Sequence, residues 1–100
     1  MDCSKISEIA WFVSEEKHVS LVTKGNAKYL IDQTLEQLKE QLDPSAFFRA
    51  NRQFIIHYSS VSAIDNVLNG KLHLSLNPAP EEQATVSREK SGELRKWLER

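Results

Sequence analysis

Two arginines three residues apart, Arg49 and Arg52, stand with the amides of Asn51 and Gln53 in the run FFRANRQFIIHYSSVSAI, from Phe47 to Ile64. The rest of that run is mostly aromatic, β-branched or small, and it holds no carboxylate. Guanidinium and amide groups are the side chains that hydrogen-bond phosphate oxygens and base edges, so the chemistry open to this segment is polar recognition of a nucleic acid. Residues three apart in an extended strand point to opposite faces, and only a turn or bulge near Ala50-Asn51 brings the two arginines together; asparagine tolerates such a turn. The same residues fit a second account, in which Arg49 pairs with a carboxylate and Arg52 is solvated, and composition does not separate the two.

A second candidate lies at Thr85-Val86-Ser87-Arg88, read as a strand running into a helix. Ser87 at the N-cap leaves first-turn N–H groups pointing outward, a ready place for a phosphate, while Arg88 is positioned to reach a guanine edge. An arginine in the first turn opposes the helix dipole mildly, which fits a partner outside the chain and equally an ordinary surface helix with one misplaced charge. His18 follows Lys17 in the first strand connection, and by itself a lone exposed histidine carries little weight.

Other chemistries lack their motifs. No serine sits in a nucleophile motif, and Glu15-Glu16 and Glu81-Glu82 read as solvated turn charges, so an enzyme is not expected. Cys3, His18, His57 and His73 are too scattered for a zinc site, and Gly25, Gly70 and Gly92 are too isolated for a phosphate-cradling loop. Neither a metal nor a cofactor is expected.

The elements that must position these residues are mainly strands. Ile9 to Val13 and Val19 to Thr23 read as two strands joined through Ser14 to Lys17, and Gly25-Asn26 supplies positive-φ residues for a turn into Ala27 to Ile31. Thr34 followed by Gln37 is a capping box, and Leu35, Leu38 and Leu42 share one face of a short helix ended by Asp43-Pro44, with Glu36, Lys39 and Glu40 in water. Phe47 to Tyr58 and Val61 to Leu68 are strand-like. Asn69-Gly70 marks a hairpin into the alternating Leu72, Leu74 and Leu76. Asn77-Pro78-Ala79-Pro80 turns the chain into a last strand, Gln83 to Val86, and Ser87 caps a helix with Leu94, Trp97 and Leu98 as its apolar stripe, weakened at Gly92. The rings of Phe47, Phe48, Phe54 and Tyr58 fall in apolar strands, so core packing is expected of them rather than stacking on RNA bases.

One hundred residues with 40% hydrophobic and 27% charged side chains suit a single folded domain. The net charge of −1 argues against coating nucleic acid by bulk electrostatics. The charge is unevenly spread: Met1 to Asp43 carries five lysines against eight carboxylates, and Val86 to Arg100 carries five basic residues against three acidic ones. No run is long and apolar enough to span a bilayer, the first eight residues lack the pattern of an export signal, and the single cysteine makes no internal disulfide, so a reducing cytoplasm is expected.

The order of elements, the F-F-R-x-x-R segment at Phe47 to Arg52, the strand Phe54 to Ile56, the stretch Val61 to Ile64 and the V-S-R before the last helix resemble the LytTR DNA-binding domain family, from about Ile6 to Leu98. The resemblance implies a mainly β fold, an elongated arrangement of small antiparallel sheets with one short inserted helix and a C-terminal helix. It implies sequence-specific binding of double-stranded DNA through loops that enter successive major grooves, in a bacterial transcriptional regulator of two-component type whose receiver domain precedes this one. Carried over residue by residue, Arg52 and Arg88 match contact positions, His18 falls near one, and Asn51 and Gln53 flank Arg52. On this reading Arg52 and Arg88 read bases, His18 and Asn51 add hydrogen bonds, and Lys17, Lys90 and the backbone at Ser87 hold phosphates. Repeated half-sites and a dimer, formed on DNA or through a receiver domain, follow as expectations. The sequence departs from the family at Asn51, often histidine there, and at Ile56-His57, commonly V-N. The rival expectation is a β-rich protein-interaction module that binds no nucleic acid.

Overall fold

A computed structural model describes residues 8–99 and, at Leu68, the backbone alone. Cys3 and the expected start of the core at Ile6 lie outside the described residues. Strands β1 (Ile9–Glu15), β2 (His18–Thr23) and β3 (Lys28–Ile31) form a meander, followed by helix α1 (Leu35–Gln41). Strands β4 (Phe47–Arg49) and β5 (Phe54–His57) come next, then β6 (Val61–Asn66), β7 (Leu72–Leu76), β8 (Ala84–Val86) and helix α2 (Arg88–Glu99). The first five strands make one antiparallel sheet in the order β3-β2-β1-β5-β4, and the last three make a second in the order β6-β7-β8. The expected antiparallel architecture with two helices is the one observed, and the molecule measures 40 × 30 × 24 Å along its principal axes.

The five-stranded sheet is covered on both faces. Trp11, Val13, Phe54 and Ile56 pack against Leu72, Leu74 and Leu76 of the small sheet and Leu94 of α2, while Phe12, Leu21, Phe47 and Ile55 pack against Leu35 and Leu38 of α1. This explains why β1 and β5 are continuous apolar runs while β7, with one face buried, alternates. A register shift between Ile9 and Trp11 lets Ile9 share the α1 face with Phe12, which strict alternation would forbid.

Local chemistry sets the ends of the elements. The Thr34 hydroxyl accepts from the Gln37 N–H at 3.1 Å and the Gln37 side chain accepts from the Thr34 N–H at 2.9 Å, completing the capping box. Asn69 (φ 66°) and Gly70 (φ 78°) are both left-handed, as the hairpin signal requires, in a turn closed by the Val67 N–H onto the Lys71 carbonyl at 2.7 Å.

Four expectations are corrected. The first connection shrinks from Ser14–Lys17 to Glu16-Lys17, because Glu16 takes a left-handed φ of 52° and the ladder runs on to pair Glu15 with His18. In the next turn only Asn26 is left-handed. The expected strand Phe47 to Tyr58 is two strands, broken at residues 50–53. Tyr58 is 41% exposed, because the chain leaves β5 in a 3₁₀ turn that stacks its ring on His57 and not into the core.

Candidate nucleic-acid interface

The break between β4 and β5 is built by Asn51. Its side-chain oxygen accepts from the backbone N–H groups of Gln53 (2.7 Å) and Phe54 (3.0 Å), an Asx-type turn that stops the strand and restarts it in the opposite direction. Arg49 tightens the same turn, its Nε donating to the Asn51 carbonyl at 2.8 Å and its Nη2 to the Arg52 carbonyl at 3.2 Å. The turn near Ala50-Asn51 is present and Arg52 is exposed at it, but Arg49 pairs with backbone carbonyls and not with a carboxylate.

This turn is tied to two other loops. The Ser14 N–H, at the end of β1, donates to the Gln53 carbonyl at 2.7 Å, which sets the Glu16-Lys17 tip beside it. Asn51 Nδ2 donates to the Thr85 carbonyl at 2.7 Å, joining the turn to the last strand just before Ser87 and Arg88. Gln53 Nε2 donates to Glu82 Oε2 at 3.0 Å, a third tether to the segment that leads into β8. Three stretches far apart in sequence, around residues 16–18, 50–53 and 85–88, are thereby stitched together.

Of the residues singled out from the sequence, Lys17, His18, Arg52, Ser87 and Arg88 are exposed on these loops. Among the described residues, the side chains of Arg52 and Arg88 have no hydrogen-bond or ion-pair partner. Arg88 rests on Gly70: a Cβ built there would come within 3.1 Å of Arg88 Cγ. Both polar atoms of the Asn51 side chain, and Nε2 of Gln53, are engaged within the protein, so Asn51 organises the turn where a direct DNA contact is expected from the sequence. Lys90, expected at a phosphate, donates to the Arg49 carbonyl at 2.7 Å, with its ammonium 5.4 Å from the centre of the Phe48 ring. Loss of water lowers the Lys90 pKa from its ordinary value, and repulsion from Lys39 and Arg49 adds to that against the opposing pull of Glu93. The Ser87 carbonyl accepts from the Lys90 N–H at 3.1 Å, closing the first turn of α2.

Sequence reasoning missed one group here. Lys39 of α1 lines the same open groove as Arg49, Asn51, Arg52, Ser87 and Lys90, although it reads from the sequence as a solvated helix face. Nothing in the local sequence signals this, because the juxtaposition depends on how α1 and α2 pack about β4.

Comparison with known proteins bears on the family and the fold. Residues 3–99 match the family model of the LytTr DNA-binding domain. The chain is 24% identical over 75 residues to an uncharacterized response regulatory protein of Vibrio cholerae, a match covering 72% of this chain and 29% of that protein. Its fold is similar to the LytTr DNA-binding domain of a Bacillus cereus protein described as a methyl-accepting/DNA response regulator, with a TM-score of 0.78 and 21% identity over 92% of this chain and 82% of that one. A family match over residues 3–99, on the antiparallel fold described above, places this protein in the LytTr DNA-binding domain family.

Proposed function

We propose that this domain is the output module of a bacterial response regulator and that it recognises specific sequences in double-stranded DNA with the loops around residues 16–18, 50–53 and 85–88. The observation that carries this reading is the tethering of those loops by Ser14, Asn51 and Gln53, with the Arg52 and Arg88 side chains exposed and unpartnered among the described residues. Unpaired guanidinium groups on a braced loop suit bidentate hydrogen bonds to guanine O6 and N7, and Lys17 and the backbone at Ser87 suit phosphates. His18, first in β2 beside the hairpin tip, adds a further hydrogen-bonding group. Response-regulator context follows from the Vibrio relative, a longer protein of which the chain matches 29%. With few cations committed, one domain neutralises few phosphates, so two domains on repeated half-sites supply tight binding through effective concentration.

Selection from a mixed-sequence duplex pool tests this. A defined motif should be enriched, and Arg52→Ala and Arg88→Ala should each weaken binding to it by about 1–3 kcal/mol while the fold is kept. Failure to retain any duplex at low salt would reject DNA binding and favour a protein partner. Parent-like binding by both variants would reject the residue assignment.

A further inference from the structure

The groove beside Arg52 holds more positive charge than base reading requires. Lys39, Arg49, Arg52 and Lys90 line an open concavity of about 460 Å³ together with Ala50, Asn51 and Ser87, and no carboxylate is among its lining residues. Two of the four cations are fixed. The Arg49 guanidinium is held by the carbonyls of Asn51 and Arg52, with donors left over, and the Lys90 ammonium is held against the Arg49 carbonyl over the Phe48 ring. Lys39 stands in the last turn of α1, in a groove whose other wall is α2, and its charge is felt at Lys90 as repulsion. Glu93, in the adjoining groove, pulls against this repulsion at Lys90, yet burial together with Lys39 and Arg49 outweighs it, and a bound anion would add an attraction to each of the four cations.

We propose that the groove lined by Lys39, Arg49, Arg52 and Lys90 is a phosphate site, and that through Lys39 helix α1 joins the contact surface for the DNA backbone. This rests on the reading of the domain as a DNA binder and extends it to an element outside the three loops. A phosphodiester seated here touches side chains only through its oxygens, so the site adds affinity and fixes register without reading sequence. Arg49 thereby has two tasks, clamping the Asn51 turn and supplying charge to the groove that the turn borders.

The test measures labelled duplex, both of the selected site and of mixed sequence, across a range of salt concentrations. Lys39→Ala should weaken both duplexes by the same factor, leave the enriched motif unchanged, and flatten the slope of log K against log salt by about 0.9, the value for one phosphate. Lys39→Arg should restore the parent slope. Lys24→Ala, in the turn between β2 and β3, removes another exposed lysine, one that does not line the groove, and should keep the parent slope. A parent slope in Lys39→Ala overturns the proposal, since a lysine that only complements the end of α1 leaves salt dependence untouched.

Inorganic pyrophosphate provides the second arm, followed through backbone amide shifts of residues 49–52 and 87–90. Shifts that saturate in the parent and vanish in Lys39→Ala support the site even where no duplex is retained; the DNA reading then fails while the groove stands as a site for a free phosphate. If the parent shows no duplex retention and no pyrophosphate shifts, the proposal is overturned.

Discussion

Asn51 commits its side chain to the fold of the turn that carries Arg52. Its amide accepts two backbone N–H groups and donates to Thr85, so it both turns the chain and anchors the turn to β8. Asn51→Ala should lower stability by about 1–3 kcal/mol, the usual result of leaving such groups unpaired, and should weaken DNA binding as the Arg52 loop loosens. Thermal melts and duplex titration check the two effects separately, and an unchanged melting temperature would contradict the role given to Asn51. Lys90 yields a prediction in pH. Its pKa lies below the ordinary 10.5 because burial and the charges of Lys39 and Arg49 disfavour the ammonium, so in the window just below 10.5 the unfolded chain binds more protons than the folded one. The penalty is fully present below the folded pKa, and stability rises with pH across the window as it is relieved. Lys90→Gln lacks this titration, so the parent's stability relative to the variant should increase as pH climbs toward 10.5, measured by denaturant midpoints. A difference that is flat or falls with pH would contradict the inference.

At the scale of elements, the turns do much of the positioning. The Leu68–Gly70 turn ends the β6–β7 hairpin and also supports the Arg88 side chain at the start of α2. Gly70→Ala puts a Cβ at φ +78° and 3.1 Å from Arg88 Cγ, so it should lower stability by about 1–2 kcal/mol through backbone strain and displace Arg88 from its seat. Specific DNA binding should fall further than stability explains, which duplex titration well below the melting temperature will show. The hairpin was legible, because Asn69-Gly70 between alternating apolar residues is a local signal, and so was the capping box at Thr34 and Gln37. The break at residues 50–53 was legible only as a condition for Arg49 and Arg52 to converge. An apolar run such as Phe54 to His57, buried on both faces, gives no alternation to mark where pairing stops, and the bond from Asn51 to Thr85 that helps fix the break spans thirty-four residues.

At the scale of the whole molecule, the loops are held by a core that the five-stranded sheet shares between its two faces. Phe54 lies fully buried where β5 leaves the Asn51 turn, edge-on to Trp11 with ring centroids 5.7 Å apart. Phe54→Ala should lower stability by about 3–5 kcal/mol, seen as a large drop in melting temperature, whereas a small drop would mean that the surrounding core closes over the cavity. Phe48 and Trp97 stack at 5.2 Å and the Trp97 indole donates to the Pro44 carbonyl at 3.0 Å, which fastens α2 to β4 and sets Lys90 beside Arg49. By itself the sequence determined the antiparallel β class, most of the elements and the family resemblance, because these follow from periodicity, turn residues and the order of short motifs along the chain. Tertiary structure alone decided that Asn51 and Gln53 brace the loops, that Arg49 pairs with carbonyls and not carboxylates, and that Lys39 shares a groove with Lys90. Each of those facts depends on contacts between segments many residues apart, or on which face of a turn a side chain takes, and no local pattern encodes either one.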